Sequence, residues 1–93
     1  MIRSFADKRS AMVFAGVSQK GFPADVLTVA RRKLKMVDAA VQLSDLRVPP
    51  GNRLEALAGN RKGQHSIRIN DQWWICFVWR SDGPGEVEIV DYH

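Results

Sequence analysis

The strongest pattern along the chain is an apolar stripe at Leu27, Ala30, Leu34, Val37 and Val41. Alternating steps of three and four residues put these side chains on one side of a helix. Pro23 suits the first turn of that helix, where its missing N–H would be unpaired anyway. Arg31, Arg32, Lys33 and Lys35 cluster in the middle and fall mostly off the stripe. Ahead of it, Asp7 can cap a shorter helix carrying Ala11, Met12 and Ala15, since its carboxylate accepts the free amide protons of a first turn. Gly16 or Gly21 ends that helix, and Ile2–Phe5 before it reads as a short strand. Pro49-Pro50-Gly51 closes the helical half, because no helix continues through it.

Beyond Gly51 the period shortens to two. Arg53–Leu57 is a strand candidate, and Gly59-Asn60-Arg61-Lys62-Gly63 is a turn-rich loop. Gln64–Asn70 alternates, with His65, Ile67 and Ile69 on one side and Ser66, Arg68 and Asn70 on the other. Asn70-Asp71 turns the chain into Trp73–Arg80, which is apolar on both parities: Trp73, Ile75, Phe77 and Trp79 against Trp74, Cys76 and Val78. Such a strand belongs in the middle of a sheet. Ser81-Asp82-Gly83-Pro84-Gly85 is a turn, and Glu86–Tyr92 is the last strand. Helices first and strands afterwards, with short connections, predict an α+β fold: an antiparallel sheet with two N-terminal helices packed on one face.

A length of 93 residues fits one domain, residues 1–93, and leaves little room for a second core. The balance of 45% apolar and 26% charged residues is that of a globular chain and excludes a disordered one. No apolar run approaches the roughly 20 residues that span a bilayer, and Met1–Phe5 does not read as a signal peptide. Cys76 is the single cysteine, which excludes an internal disulfide and a multi-cysteine zinc site. The expected compartment is therefore the cytoplasm.

Charge changes this picture more than composition does. The chain carries 14 Lys and Arg against 10 Asp and Glu. Residues 1–80 hold all 14 cations and six of the acids, whereas residues 81–93 hold Asp82, Glu86, Glu88 and Asp91 with no cation. A basic body points to a polyanionic partner such as nucleic acid; a solvated surface is the plainer alternative. Arg61, Lys62, Arg68, Asn70 and Gln72 gather on the polar sheet parity and its adjoining loop, and phosphate oxygens take donors of this kind. The run Arg31–Lys35 reads as a solvated face, with an RNA backbone contact or an acidic protein partner as its rivals. The chain ends Asp91-Tyr92-His93, and an imidazole exchanges protons near neutral pH. His65 falls on the apolar parity as a partly buried histidine, and Cys76 sits mid-strand in a packing role.

The run Gly59–Asn70, then Trp73, Ile75-Cys76-Phe77 and the closing Glu88-Ile89-Val90-Asp91-Tyr92-His93, resembles HigB-type toxins of the RelE superfamily. Met1–Phe5 and Pro49–Glu55 are similar to the same group, so the resemblance covers nearly the whole chain. It implies a RelE-like fold and a ribosome-dependent endoribonuclease that cuts translated mRNA without metal or cofactor. It further implies the 70S ribosome and mRNA as partners, no membrane, and a HigA-type helix-turn-helix antitoxin through which alone operator DNA is met. By family position His93, Asp91 and Tyr92 would serve proton transfer or its orientation, and Arg61 would hold phosphate. Asn60, Lys62, Arg68, Asn70, Gln72 and Trp74 would line the RNA. Family members commonly carry Arg after the strand-opening Trp; here the pair is Trp73-Trp74. Some relatives also have Lys at the place of Ala58 and His near Glu55. The resemblance implies the endoribonuclease, and the departure at Trp74 an attenuated one; the alternatives are a non-catalytic module with the toxin fold that binds antitoxin or ribosome and, third, a generic RNA-binding domain.

Overall fold

The structure is a computed structural model that describes residues 1–91. Tyr92 and His93, two of the expected site residues, lie outside the described residues. Helix α1 runs Lys8–Phe14 and α2 Ala24–Ala39. Single 3-10 turns at Leu43–Arg47 and Pro50–Asn52 lead to strand β1, Glu55–Ala56. A third 3-10 turn, Gly59–Arg61, precedes β2 (His65–Arg68), β3 (Trp73–Arg80) and β4 (Gly83–Asp91). The strands form one antiparallel meander in the order β1-β2-β3-β4. This is the expected α+β arrangement, with β3 inside the sheet.

Local chemistry explains the helices. The Asp7 carboxylate accepts the Ser10 amide at 2.8 Å, satisfying one of the orphan donors of α1. Gly16, at φ +89°, ends that helix: its N–H returns to the Val13 carbonyl, and the Val17 N–H to that of Met12. Pro23 stands one position before α2 rather than in its first turn, and its carbonyl accepts the Leu27 N–H. Val41 is not on the buried stripe. The Asp45 carboxylate accepts both the Val41 and Gln42 amides, which draws the chain into the next turn and leaves Val41 87% exposed. Lys33 is off that stripe but buried all the same, in a second row beside it with Val26, Ala30 and Val37.

The sheet ladder divides the side chains. Ile67 faces Ile75 across β2–β3, and Ile75 faces Ile89 across β3–β4. These residues, with Phe77 and Val87, meet Val13, Leu27, Ala30, Leu34 and Val37 from the helices in one core. Burying each such side chain stabilises the fold by roughly 1.5–3 kcal/mol. The opposite parity carries Ser66, Cys76 and Glu88 in one rung and Arg68, Trp74 and Val90 in the next. Both helices pack on the first face, so the second is the outer face of the sheet.

Several strand boundaries differ from the sequence reading, and β2 is shorter than the alternation over Gln64–Asn70, running only from His65 to Arg68. Ile2–Phe5 is no regular strand: it follows β4 in parallel, with a single bridge between Phe5 and Val87. A bulge sets Glu86 and Val87 against Phe77, with Glu86 at φ +50°, and the Glu86 N–H goes to the Ser4 hydroxyl instead of a ladder carbonyl. Arg53 adopts φ +48°, so β1 begins only at Glu55. The turn after β3 shrinks to Ser81 and Asp82, and β4 starts at Gly83. A Cβ on Gly83 would stand 2.5 Å from the Met1 carbonyl oxygen, which requires glycine here.

Candidate functional site

The outer sheet face and the loop ahead of β2 bring several of the expected residues together. The 3-10 turn Gly59–Arg61 projects Arg61 toward β4. Its Nη1 donates to Gln64 Oε1 at 3.0 Å and to Glu88 Oε1 at 3.3 Å, and its Nη2 reaches the same carboxylate oxygen at 3.4 Å. Both partners of this ion pair are about a third exposed, at 27% and 30%. Glu88 lies on the rung of Ser66 and Cys76, and both of these are fully buried. The Ser66 hydroxyl has no hydrogen-bond partner there.

One rung further, Arg68 stands beside Trp74, and Trp74 beside Val90. Arg68 Nη2 pairs with the Asp71 carboxylate across the β2–β3 turn. Asn70 builds that turn: its Oδ1 accepts the amides of Gln72 and Trp73, both at 2.9 Å. Gln72 Nε2 donates to Asp91 Oδ2 at 3.1 Å, tying the turn to the end of β4. Asn60 and Lys62 are exposed on the loop ahead of β2. Trp74 is half-buried on the outer face, as its parity implied. Arg61, Arg68 and Trp74 thus share one face, whereas Asn70 is engaged in the turn and Gln72 and Asp91 stand at its margin. His65 is half-buried near Phe77 and Cys76 is buried, as expected. Among the described residues no three His, Cys, Asp or Glu side chains are grouped to hold a metal ion, and no helix is long and apolar enough to cross a membrane.

Two participants have no site role in the sequence reading. Glu88 counted only as part of the acidic tail, yet it neutralises Arg61; a separation of 27 residues hides such a pair. Lys33 is 6% exposed and donates to the Arg68 carbonyl oxygen, directly behind the outer-face cation. The spacing of Val26, Ala30, Lys33 and Val37 by four, three and four residues was the available signal. Burial, and then the charges of Arg32 and Arg68, hold the Lys33 ammonium below the usual lysine pKa of 10.5. The folded chain therefore binds this proton more weakly than the unfolded chain, so stability rises with pH between the lowered folded value and 10.5. Lys33→Met is expected to abolish that alkaline gain. Melting curves of both proteins from about pH 7 to about pH 11 check it, and identical slopes would contradict it.

Chemically, the outer face offers two guanidinium forks whose present partners are carboxylates. Each fork retains N–H donors for a further anion, and a phosphate diester matches their planar geometry. Trp74, beside Arg68, adds an apolar plane suited to stacking on a nucleobase.

Comparison with known proteins identifies the chain. Residues 3–93 match the family profile described as the RelE-like toxin of type II toxin–antitoxin system HigB. The chain is 51% identical to Toxin HigB-1 of Vibrio cholerae over 71 residues, 76% of this chain and 74% of the relative. It is 34% identical to an uncharacterised protein of Haemophilus influenzae over 67 residues, 72% of this chain and 66% of that protein. Its fold is similar to a chain of the YoeB-YefM complex from Staphylococcus aureus, with TM-score 0.63 and 15% identity, covering 100% of this chain and 98% of that one. The chain therefore belongs to the HigB-like family of RelE-type toxins of type II toxin–antitoxin systems.

Proposed function

We propose that this toxin is a ribosome-dependent, metal-independent endoribonuclease that cuts translated mRNA. The observation that carries the reading is the outer sheet face, where Arg61, Arg68 and Trp74 stand on one surface, with Asp91 at the end of β4 in register with Trp73, on the helix-side parity. In the reaction the ribose 2′-oxygen bonds to the neighbouring phosphorus, the bond from phosphorus to the 5′-oxygen breaks, and a cyclic phosphate and a free 5′-hydroxyl result. A base takes the 2′-hydroxyl proton and an acid supplies one to the leaving oxygen. Asp91, Tyr92 and His93 carry or orient these protons. Arg61, with Asn60, Lys62, Arg68, Asn70, Gln72 and Trp74 around it, holds the RNA and stabilises the charged phosphorane. No cofactor enters. The partners are the 70S ribosome with its mRNA and a HigA-type helix-turn-helix antitoxin, which alone contacts operator DNA; the site of action is the cytoplasm.

Trp74 attenuates this activity. It occupies the outer face beside Arg68, where a further guanidinium would meet the phosphate. Primer extension on translated mRNA after induction tests the assignment with three forms: this chain, Trp74→Arg, and Trp74→Arg with His93→Ala. Cuts are expected in the second form and their loss in the third. Cuts surviving in the third would remove His93 from the reaction. Absence of cuts in every form would favour the second reading, a non-catalytic module that binds antitoxin or ribosome. That reading draws its support from Trp74 and from the occupation of Arg61 by Glu88.

A further inference from the structure

The basic run of α2 takes no part in the site above. Thr28, Arg32, Lys35 and Ala39 are all exposed, and their spacing of four, three and four residues sets them on one stripe, turned away from the stripe that packs on the sheet. Among the described residues neither Arg32 nor Lys35 makes an ion pair, while the two arginines at the β3–β4 hairpin are each compensated by a carboxylate. Arg80 is held by Glu86 at 2.6 Å, and Arg3 by Asp82 at 3.6 Å.

At its C-terminal end this stripe runs into a groove of about 410 Å³ between Met1, Ala39–Val41 and the β3–β4 hairpin from Trp79 to Gly83. The groove presents apolar side chains to solvent: Val41 is 87% exposed and Met1 71%. The Asp45 carboxylate holds the Val41 amide, so the chain leaves α2 with this side chain directed outward. Two cations without an ion pair among the described residues lead into an open groove in which Val41 and Met1 stand exposed beside the polar hairpin residues Arg80, Ser81 and Asp82, a surface with both charge and shape to match.

We propose that this surface docks an acidic amphipathic helix of the antitoxin, its carboxylates against Arg32 and Lys35 and its apolar side chains in the groove over Val41 and Met1. The inference rests on the assignment of an antitoxin partner and adds the surface and the chemistry of the contact. The charge complementarity decides the occupant: a free apolar helix would leave Arg32 and Lys35 unmatched, whereas an acidic one removes the repulsion among Arg32, Lys33 and Lys35. The docking surface lies on the helix layer, and the sheet separates it from the outer face that carries Arg61 and Arg68.

The test measures the dissociation constant between this chain and the antitoxin encoded beside it, at about 0.05 M and about 0.2 M salt. Arg32→Glu with Lys35→Glu is expected to weaken binding about 10–100-fold and to flatten its salt dependence, and Val41→Asp to weaken it by a similar factor. Val17→Asp, at an exposed apolar residue outside the groove, serves as control and leaves affinity unchanged. All these positions are on the surface, and unaltered melting curves confirm that the variants fold. Unchanged affinity in both test variants overturns the proposal. Retained antitoxin affinity with lost RNA affinity would assign the cations to RNA and overturn it equally. Should the unaltered chain itself fail to bind its neighbour's product, the antitoxin assignment falls first and this surface with it.

Discussion

Trp74→Arg is expected to raise cleavage of translated mRNA by about 10²–10³-fold, the range that one positioned donor to a developing oxyanion typically supplies. Residue 74 sits in register with Arg68 on one side and Val90 on the other, on the outer face of the sheet. An arginine there adds five donors and a fixed charge to a surface on which both existing guanidinium groups already face carboxylates, Arg61 on Glu88 and Arg68 on Asp71. The indole provides stacking, worth about 1–3 kcal/mol per base, but stacking binds substrate and transition state alike and leaves the phosphorane charge unmatched. Because residue 74 is half-buried outside the helix-packed core, the exchange leaves the core rungs of Ile67, Ile75 and Ile89 intact. The rate of mRNA cutting in a reconstituted translation reaction checks the prediction. An unchanged rate would show that position 74 does not limit the chemistry.

Arg61→Ala in the Trp74→Arg background is expected to lower the same rate by about 10²–10³-fold, again the contribution of a single preorganised donor group. The geometry separates this loss from unfolding. The pair with Glu88 is about a third exposed on each side, and ion pairs so placed contribute roughly 0–1 kcal/mol, a Tm change within about 8 °C for a domain of this size. Arg61→Lys keeps a charge but loses the planar fork that reaches Gln64 and Glu88 together. Its rate is expected between those of the parent and the alanine variant. Cleavage kinetics with a melting curve for each protein decide the matter. A rate loss accompanied by a large fall in Tm would place Arg61 in the fold and not in the chemistry.

How much of this was legible in the chain depends on the range of the interaction. The α2 stripe could be read because each apolar residue repeats the signal of its neighbours three and four positions away. The stripe's last member could not, because Val41 leaves the helix under the pull of Asp45, a local hydrogen bond that competes with helix continuation. Strand β3 was legible to the residue, since apolar side chains on both parities mark a strand inside the sheet. Strand β1 fell short of its expected span because Arg53 takes a left-handed conformation that its residue type does not announce. Lys33 was placed by its charge when its position in the second buried row should have ruled.

For the candidate site the division is similar. Residue types, alternation and the family resemblance brought Arg61, Arg68 and Trp74 forward, and the family itself stands. Asn70 was chosen as a donor to RNA, and the fold adds a second task for its side chain, whose Oδ1 accepts two amides of the β2–β3 turn and so orients the Nδ2 donors. The Glu88 carboxylate against Arg61 was invisible, because contacts between residues 27 positions apart depend on the register of three strands.

By itself the sequence determined the α+β order of elements, the faces of the sheet, the basic body and the kinship to HigB-type toxins, all of which rest on periodicity and residue type close along the chain. Only the tertiary structure decided which charges are already spoken for. It paired Arg61 with Glu88 and Arg68 with Asp71, buried Lys33 behind Arg68, and left Arg32 and Lys35 unmatched beside an exposed Val41. Charge neutralisation acts over a few ångströms in space, and only the folded register sets which distant residues come within that reach.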